Sequence, residues 1–211
     1  MSDTSVAESV PADWLVEEHV GELAIVRPRD PDALMDERAF EREEFLPYWA
    51  ELWPSAIVLA RAVGRRSLRG ARTVELGCGL GAPSIAAALA GGRVLATDWS
   101  PDAVSFVERN ALRNGASLAA EVCAWADPAT LVARAPWDLV LAADVLYERR
   151  NTALLAGLLP RLLARGGEAL IADPGRPPAD EFLTRVDVDF ERRSTADARF
   201  PSVQLHRLRR R

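Results

Sequence analysis

The feature that most constrains the fold is an alternation of short apolar segments with amphipathic ones through the middle of the chain. The apolar segments predict strands over 71–76, 93–98, 118–125, 138–144 and 168–173. The intervening segments carry apolar residues at helical spacing and predict helices over 82–91, 101–113, 151–164 and 179–186. Strands that alternate with helices favour a parallel sheet with helices on both faces, because each crossover places a helix over the sheet.

The end of the chain follows a different pattern. Residues 186–193 and 203–209 predict two strands that are joined without a helical segment, so we expect them to pair antiparallel. Together with the five preceding strands they predict an α/β fold, with a seven-stranded, mostly parallel sheet and a C-terminal antiparallel strand pair.

The N-terminal part differs in charge. Residues 1–51 hold 14 acidic and 4 basic residues, a net charge of −10, and residues 30–46 are acidic and weakly helical. Residues 14–27 predict a β-hairpin, whereas apolar residues at helical spacing from 53 to 63 predict the first helix of the main domain. We therefore divide the chain into an acidic extension, 1–46, and a main domain, 47–211. The acidic segment either recruits a basic protein surface or forms a solvated face.

Composition excludes several classes of function. Two cysteines cannot supply a disulfide framework or a four-ligand metal site, and with only two histidines the usual zinc and histidine chemistries lack parts, so we expect no metal. The acidic N-terminus does not resemble a secretory signal, and no apolar run approaches the roughly 18 residues of a membrane span, so we expect a cytoplasmic protein with no membrane contact. All 26 basic residues are arginine. The basic tail, 207–211, lacks interleaved aromatic residues, and no nucleic-acid partner is expected.

A glycine-rich turn follows the first predicted strand of the main domain. Gly77, Cys78 and Gly79 belong to the sequence ELGCGLGA, which leads into a predicted helix. Without side chains, backbone N–H groups of such a turn and the helix N-terminus can approach a ligand closely. The turn also matches the dinucleotide pattern G-x-G-x-x-A, which leaves a nicotinamide-dependent oxidoreductase open.

Two carboxylates narrow the choice of ligand. Asp98 ends the second strand of the main domain, where a carboxylate can accept hydrogen bonds from ribose hydroxyls. Glu75 lies two residues before the first glycine, where a negative charge would oppose a pyrophosphate. S-adenosylmethionine instead carries a sulfonium and an ammonium group, so Glu75 either serves the amino-acid end of that ligand or braces the turn.

The next two strands end in further polar or aromatic residues. Trp125 offers an aromatic plane for an adenine ring, with a core tryptophan as the alternative. Asp144 ends the strand predicted over 138–144, and Tyr147 follows it. If the ligand donates a group to a second molecule, that group would emerge beside these two residues.

These residues resemble the motifs of class I, seven-β-strand S-adenosylmethionine-dependent methyltransferases, which have a Rossmann-like fold. The sequence ELGCGLG and Asp98 match the first two motifs, and DVLY at 144–147 resembles the D-x-x-Y signature of the protein lysine methyltransferase group related to nicotinamide N-methylase. The segments YWAELWP at 48–54 and DPGR at 173–176 are similar to those of electron transfer flavoprotein β-subunit lysine methyltransferases and their bacterial relatives. The resemblance covers residues 45–210.

The resemblance implies a role for each matched residue. The residues implied to bind S-adenosylmethionine are Trp53, Glu75, Gly77, Cys78, Gly79, Asp98, Trp125 and Ala143. Asp144 and Tyr147 are implied to face the methyl acceptor as the catalytic residues.

The predicted function is N-methylation of a lysine side chain in a protein. Asp144 would attract and orient the amine, Tyr147 would hydrogen-bond near it, and water would take the proton. A small amine is the alternative acceptor, so the expected partner is either a protein with an accessible lysine or a small molecule. Two further alternatives are a nicotinamide-dependent oxidoreductase and a non-catalytic binding protein with a methyltransferase fold. For Asp144 itself, the alternative to a role in catalysis is to cap a helix.

Overall fold

The computed structural model describes residues 11–31, 34 and 47–211. The strands are β1 (Leu15–Val20), β2 (Leu23–Pro28), β3 (Arg72–Leu76), β4 (Arg93–Asp98), β5 (Ala119–Val122), β6 (Trp137–Ala143), β7 (Leu163–Asp173), β8 (Phe190–Ala196) and β9 (Gln204–Arg210). The α-helices are α1 (Pro54–Gly64), α2 (Ala82–Leu89), α3 (Pro101–Arg113), α4 (Ala129–Ala133), α5 (Arg149–Leu162) and α6 (Pro177–Val186).

Seven strands form one sheet in the order β5-β4-β3-β6-β7-β9-β8. The first five strands in that order are parallel, and β9 pairs antiparallel with both β7 and β8. The predicted fold class is therefore confirmed. The strand order reverses between β3 and its neighbours β4 and β6, and ligands bind at the carboxyl ends of the strands at such a point.

Helices cover both faces of the sheet because the central strands are apolar on both sides. Leu139 and Leu141 of β6 pack in a buried cluster with residues of α1, α2 and α3. Val140 and Ala142 point the other way and pack in a second cluster with residues of α5 and α6. Alternate residues of a strand face opposite sides, so one apolar strand contributes to both clusters.

The predicted N-terminal hairpin is present, and it packs onto the helices of the main sheet. β1 and β2 pair antiparallel, from Leu15 opposite Pro28 to Val20 opposite Leu23. Val20 and Ile25 are buried in the same apolar cluster as Leu59 of α1 and Ile85 of α2. The described part of the acidic extension therefore shares the core of the main domain.

Several boundaries differ from the expectation. The helix predicted over 151–164 ends at Leu162. β7 begins at the next residue, five residues earlier than the strand predicted over 168–173. β5 ends at Val122 and not at 125, so Trp125 lies in a turn. The short helix α4 was not predicted. The weakly helical segment predicted over 30–46 lies outside the described residues except at positions 30, 31 and 34.

In the described residues, every helix is too short or too polar to cross a lipid bilayer. The same residues contain no cluster of three or more histidine, cysteine, aspartate or glutamate side chains arranged to hold a metal ion.

Candidate active site

A cleft of about 360 Å³ lies at the carboxyl ends of the central strands. Its walls come from the segment before α1, the turn after β3, the ends of β4 and β6, the loop after β5 and the start of α5. All ten residues predicted to form the site line this one cleft: Trp53, Glu75, Gly77, Cys78, Gly79, Asp98, Trp125, Ala143, Asp144 and Tyr147. The structure thus brings the predicted residues together, and their individual roles stay predictions.

The turn between β3 and α2 brings its backbone to the cleft surface. Gly77 and Gly79 have φ angles of 72° and 49°, in the left-handed region where side chains are disfavoured. A Cβ atom on Gly77 would lie 2.9 Å from Cγ1 of Val145, and one on Gly79 would lie 3.1 Å from the carbonyl oxygen of Trp49. Both glycines are therefore required by conformation and by space, and the turn leaves room for a ligand against its backbone.

Asp98 is buried and accepts hydrogen bonds from the backbone on either side. Its Oδ2 accepts from the N–H of Gly79 at 2.9 Å, and its Oδ1 accepts from the N–H of Ser100 at 3.0 Å. Burial raises the pKa of Asp98, and these backbone hydrogen bonds oppose that rise. Because one carboxylate joins the turn after β3 to the end of β4, it fixes the two backbone segments that meet below the cleft.

Glu75 is tied to the helix that follows the turn. Its Oε2 accepts hydrogen bonds from the Ser84 backbone N–H at 2.9 Å and from the Ser84 hydroxyl at 2.5 Å. Burial raises the pKa of Glu75 to about 8 despite these two bonds. This carboxyl therefore braces the turn, one of the two roles predicted for it, and it also lines the cleft.

The Cys78 side chain is buried beneath the turn. Burial, together with the nearby carboxylates Asp98 and Glu75, raises the pKa of the Cys78 thiol well above its ordinary value. A thiol that resists ionisation is a poor nucleophile. The raised pKa argues against thiol chemistry, and a contribution of the Cys78 backbone to the site stays a prediction.

Two tryptophans lie along the cleft beside the ends of β4 and β5. Trp125 is half-buried, and its ring edge comes close to Gly77: a Cβ on that glycine would lie 3.6 Å from Cζ2. Trp99 follows Asp98 directly and is 46% exposed, yet it also lines the cleft. The sequence motifs did not indicate Trp99, although its position next to the predicted ribose-binding carboxylate was an available signal.

The opposite side of the cleft is organised around Asp144. Its Oδ1 accepts hydrogen bonds from Nε and Nη2 of Arg176 at 2.9 and 2.8 Å, and its Oδ2 accepts from the Ser55 hydroxyl at 3.1 Å. The residue has a φ of 57°, and its backbone N–H donates to the carbonyl of Ala172. Asp144 is thus held by an ion pair and a hydroxyl, and it does not cap a helix.

Three aromatic residues lie on the same side of the cleft as this carboxylate. The ring of Tyr48 meets the ring of Tyr147 edge-on with centroids 5.5 Å apart, and it meets the ring of Trp53 at 6.3 Å. Nε1 of Trp53 donates to the Tyr48 carbonyl at 2.8 Å, and the Arg176 guanidinium lies 5.7 Å from the Trp53 ring centroid. Burial and the neighbouring Glu148 raise the pKa of Tyr147, so its phenol remains a hydrogen-bond donor at neutral pH.

Comparison with known proteins identifies the family. The sequence profile described as lysine methyltransferase matches residues 45–188, which include every residue of the cleft lining. The chain belongs to the lysine methyltransferase family. The resemblance drawn from the sequence motifs is thereby confirmed, and it favours methyl transfer over nicotinamide-dependent oxidation.

Curated relatives of the chain include lysine methyltransferases with different named substrates. The electron transfer flavoprotein beta subunit lysine methyltransferase of Xenopus laevis is 36% identical over 137 residues, which are 62% of this chain and 53% of the relative. The protein N-lysine methyltransferase METTL21A of Danio rerio is 33% identical over 145 residues, 65% of this chain and 66% of the relative. The chain therefore spans about half to two thirds of the length of these relatives.

Solved structures of methyltransferases share the fold of this chain. The N-methyltransferase NodS from Bradyrhizobium japonicum, solved with S-adenosyl-L-homocysteine, matches with a TM-score of 0.59 and 19% identity over 86% of this chain and 93% of that chain. The tRNA (uracil-54, C5)-methyltransferase of Pyrococcus abyssi gives a TM-score of 0.62 and 16% identity over 93% of this chain and 44% of that chain. At these identities the likeness establishes the fold.

Proposed function

We propose that this protein transfers a methyl group from S-adenosylmethionine to the side-chain amine of a lysine in another protein. The observation that carries the proposal is the buried Asp144 carboxylate, held in place at the same cleft as the glycine turn. The family to which the chain belongs and the lysine-methylating relatives support the choice of acceptor.

The residues around the glycine turn fit S-adenosylmethionine. Glu75 and Asp98 put two carboxyl groups next to the turn, and both line the cleft. A cofactor with a sulfonium and an ammonium group and no phosphate is favoured there, because a cation stabilises the ionised form of these buried carboxyls and a pyrophosphate opposes it. Asp98 would accept from the ribose hydroxyls, Trp125 would bound the adenine, and the backbone of Gly77 and Gly79 would lie under the methionine portion. When bound, S-adenosylmethionine supplies a methyl group on a sulfur that is already an activated leaving group.

Asp144 has one acceptor position left for an amine. A carboxylate offers about four lone-pair positions. Arg176 uses two of them on Oδ1, and Ser55 uses one on Oδ2. The remaining position on Oδ2 can accept one N–H of an incoming amine, which restricts the directions in which the nitrogen lone pair can point. Alignment of the reacting atoms is the main contribution that a protein makes to such an in-line displacement.

The arginine next to Asp144 argues against a role for this carboxylate as the final proton acceptor. Lysine has an ordinary pKa of about 10.4, so the amine must lose a proton before it can attack. Protonation of Asp144 would sacrifice its ion pair with Arg176 at 2.8 Å. Asp144 therefore orients the amine, Tyr147 hydrogen-bonds near it, and the proton passes to water. An open cleft gives water access to the amine.

Two parts of the molecule would contact a protein substrate: the exposed surface at the cleft and the acidic N-terminal segment. Exposed apolar surface from Tyr48 and Leu154 lies at the cleft, 41% and 37% exposed, and gives a protein substrate something to contact beyond the lysine itself. The acidic N-terminal segment, part of which lies outside the described residues, would attract a basic surface on that protein. We place the reaction in the cytoplasm.

The test is incubation of the purified protein with labelled S-adenosylmethionine and a cell extract of the source organism, followed by mass spectrometry. The chain contains no lysine, so any labelled lysine belongs to another protein. We expect one labelled lysine in one protein, and no label with the Asp144→Asn variant as the matched control. Label found only in small molecules would replace the protein acceptor with a small amine, and a protein that binds S-adenosylhomocysteine but transfers no label would contradict the proposed activity.

A further inference from the structure

Two asparagines, Asn110 on α3 and Asn114 directly after this helix, hold the N-terminal hairpin. Asn110 accepts a hydrogen bond from the N–H of Val26 at 2.8 Å and donates to the carbonyl of Val26 at 3.1 Å. Asn114 makes the same pair of bonds with Ala24, at 2.9 and 2.8 Å. Since each amide group satisfies one backbone N–H and one carbonyl, the two side chains take the place of a neighbouring strand along β2.

Each amide group also donates a second hydrogen bond, and the two acceptors differ. Asn114 donates it to the backbone carbonyl of Asn110 at 2.7 Å, within the same helical segment. Asn110 donates it to the carbonyl of Leu80 at 3.0 Å, in the glycine turn. Only one of these otherwise equivalent asparagines therefore connects the hairpin to the site.

The contact with Leu80 acts on the backbone of the turn. The peptide group between Leu80 and Gly81 donates its N–H to the Cys78 carbonyl at 2.8 Å, and its carbonyl accepts from Asn110. Both polar ends of this peptide are thereby held, which fixes the plane in which it lies. Leu80 lines the cleft, and its side chain shares a buried cluster with Ile25 of β2.

We propose that Asn110 is a positioning residue that couples the hairpin to the glycine turn, so that docking of the hairpin and binding of S-adenosylmethionine stabilise each other. Asn110 is fully buried, and its contacts with Val26 and Leu80 place one side chain between the two segments. Such coupling is reciprocal, because a ligand that favours one arrangement of the turn must favour the hairpin contact to the same extent. The hairpin lies outside residues 45–188, which the family profile matches.

The first test compares Asn110→Ala with Asn114→Ala by titration calorimetry with S-adenosylhomocysteine, well below both melting temperatures. Loss of one buried hydrogen bond to the turn should weaken binding by Asn110→Ala about five- to tenfold. Asn114→Ala removes the equivalent pair of hairpin bonds, to Ala24, and should stay within about twofold of the wild type. Equal affinities of the two variants overturn the proposal. A wild-type protein that does not bind S-adenosylhomocysteine contradicts the cofactor assignment instead, on which this proposal rests.

The second test uses the wild-type protein, so it does not depend on the variants folding. Hydrogen exchange is followed at the amides of Ala24 and Val26 with and without S-adenosylhomocysteine. We expect slower exchange at both amides when the ligand is bound, together with slower exchange in the turn. Protection of the turn with unchanged exchange in the hairpin overturns the coupling and leaves cofactor binding intact.

Discussion

One side of the cleft contains Asp98, Glu75 and the glycine turn; we call it the cofactor side, because we propose that the cofactor binds there. On this side, Asp98 and Glu75 accept hydrogen bonds from backbone N–H groups that lie between 2 and 19 residues away in the sequence. The opposite side contains Asp144 and Tyr147; we call it the acceptor side, because we propose that the methyl acceptor binds there. On this side, Asp144 is held by the side chains of Ser55 and Arg176, which lie 89 and 32 residues away in the sequence. The first arrangement follows from two neighbouring strands, one turn and one helix, whereas the second requires β6, the segment after β7 and α1 to come together. We expect substitutions on the cofactor side to change binding and those on the acceptor side to change turnover.

The largest effect is expected for Asp144→Asn. Asparagine has nearly the same size as aspartate and also tolerates a positive φ, so the backbone at this position should not change. The variant loses the negative charge that forms the ion pair with Arg176. A misoriented acceptor should lower turnover by about 100-fold or more. Turnover is measured with the labelled lysine-containing substrate, and affinity for S-adenosylhomocysteine by calorimetry.

The affinity of this variant for S-adenosylhomocysteine should stay within about twofold of the wild-type value, because the substitution preserves the volume of the side chain. A fall in turnover and affinity together would place this carboxylate in the cofactor shell. Near-wild-type turnover would place the acceptor site elsewhere in the cleft.

The second effect is expected for Asp98→Ala, on the cofactor side. The variant removes the proposed ribose contact and the acceptor for the Gly79 N–H. A hydrogen bond to a charged group is worth about 1.5–3 kcal/mol, so affinity for S-adenosylhomocysteine should fall about 10- to 150-fold. Glu108→Ala, on the exposed face of α3, is the matched control and should leave affinity unchanged. Unchanged affinity in a folded Asp98→Ala protein would remove Asp98 from the site.

A smaller effect is expected for Arg176→Lys. A lysine keeps the positive charge but cannot donate from two nitrogens to Oδ1 of Asp144, as Nε and Nη2 of Arg176 do. Turnover should fall about tenfold with affinity for S-adenosylhomocysteine unchanged. Arg185→Lys, on α6 in an exposed pair with Glu181, is the control and should behave as wild type.

The same pair of variants also tests the location of the acceptor site without any substrate. Each variant introduces the only lysine of the chain, since all 26 basic residues are arginine. We expect label from S-adenosylmethionine on the lysine introduced at position 176 and none on the lysine introduced at position 185. Equal labelling of the two would contradict an acceptor site next to Asp144.

The smallest effect concerns protons exchanged by Glu75. Its pKa is about 8 in the folded protein against an ordinary value of 4.5, so between these values the folded protein retains a proton that the unfolded chain has lost. The contribution of this carboxyl to stability therefore falls as the pH rises from 4.5 to 8. A bound cation favours the ionised form, so binding of S-adenosylmethionine at neutral pH should release up to about one proton.

Calorimetry in two buffers with different ionisation enthalpies measures that release. S-adenosylhomocysteine lacks the sulfonium charge and should release less, and Glu75→Gln should release none from this position. Equal proton release by Glu75→Gln and the wild type would show that the protons come from another group.

The cofactor side could be predicted from the sequence because its parts are close together in the chain. Gly77, Gly79 and Asp98 follow or end strands whose apolar pattern is clear, and parallel strands bring their carboxyl ends to one edge. The prediction extended β5 as far as Trp125, since an apolar run does not show where pairing with β4 stops.

The acceptor side could be predicted only in part. The sequence indicated Asp144 and Tyr147, but not the partners of Asp144, because a contact between residues 55 and 144 depends on how α1 lies across the sheet. Arg176 belongs to the DPGR segment, whose resemblance to the family implied no role for this side chain. Asn110 gave no signal, since an asparagine in an amphipathic helix is ordinary until the hairpin is placed against it.

The left-handed backbone at Asp144 also bears on how a protein of this kind can change over generations. Aspartate, asparagine and glycine tolerate a φ of 57° better than other residues do, and an aspartate codon becomes an asparagine or glycine codon by a single base change. Two of the single-base changes at this codon are therefore ones that the backbone can absorb while the carboxylate is lost. With the roles we propose, a descendant that still binds the cofactor but has lost most of its methyl transfer lies one such mutation away.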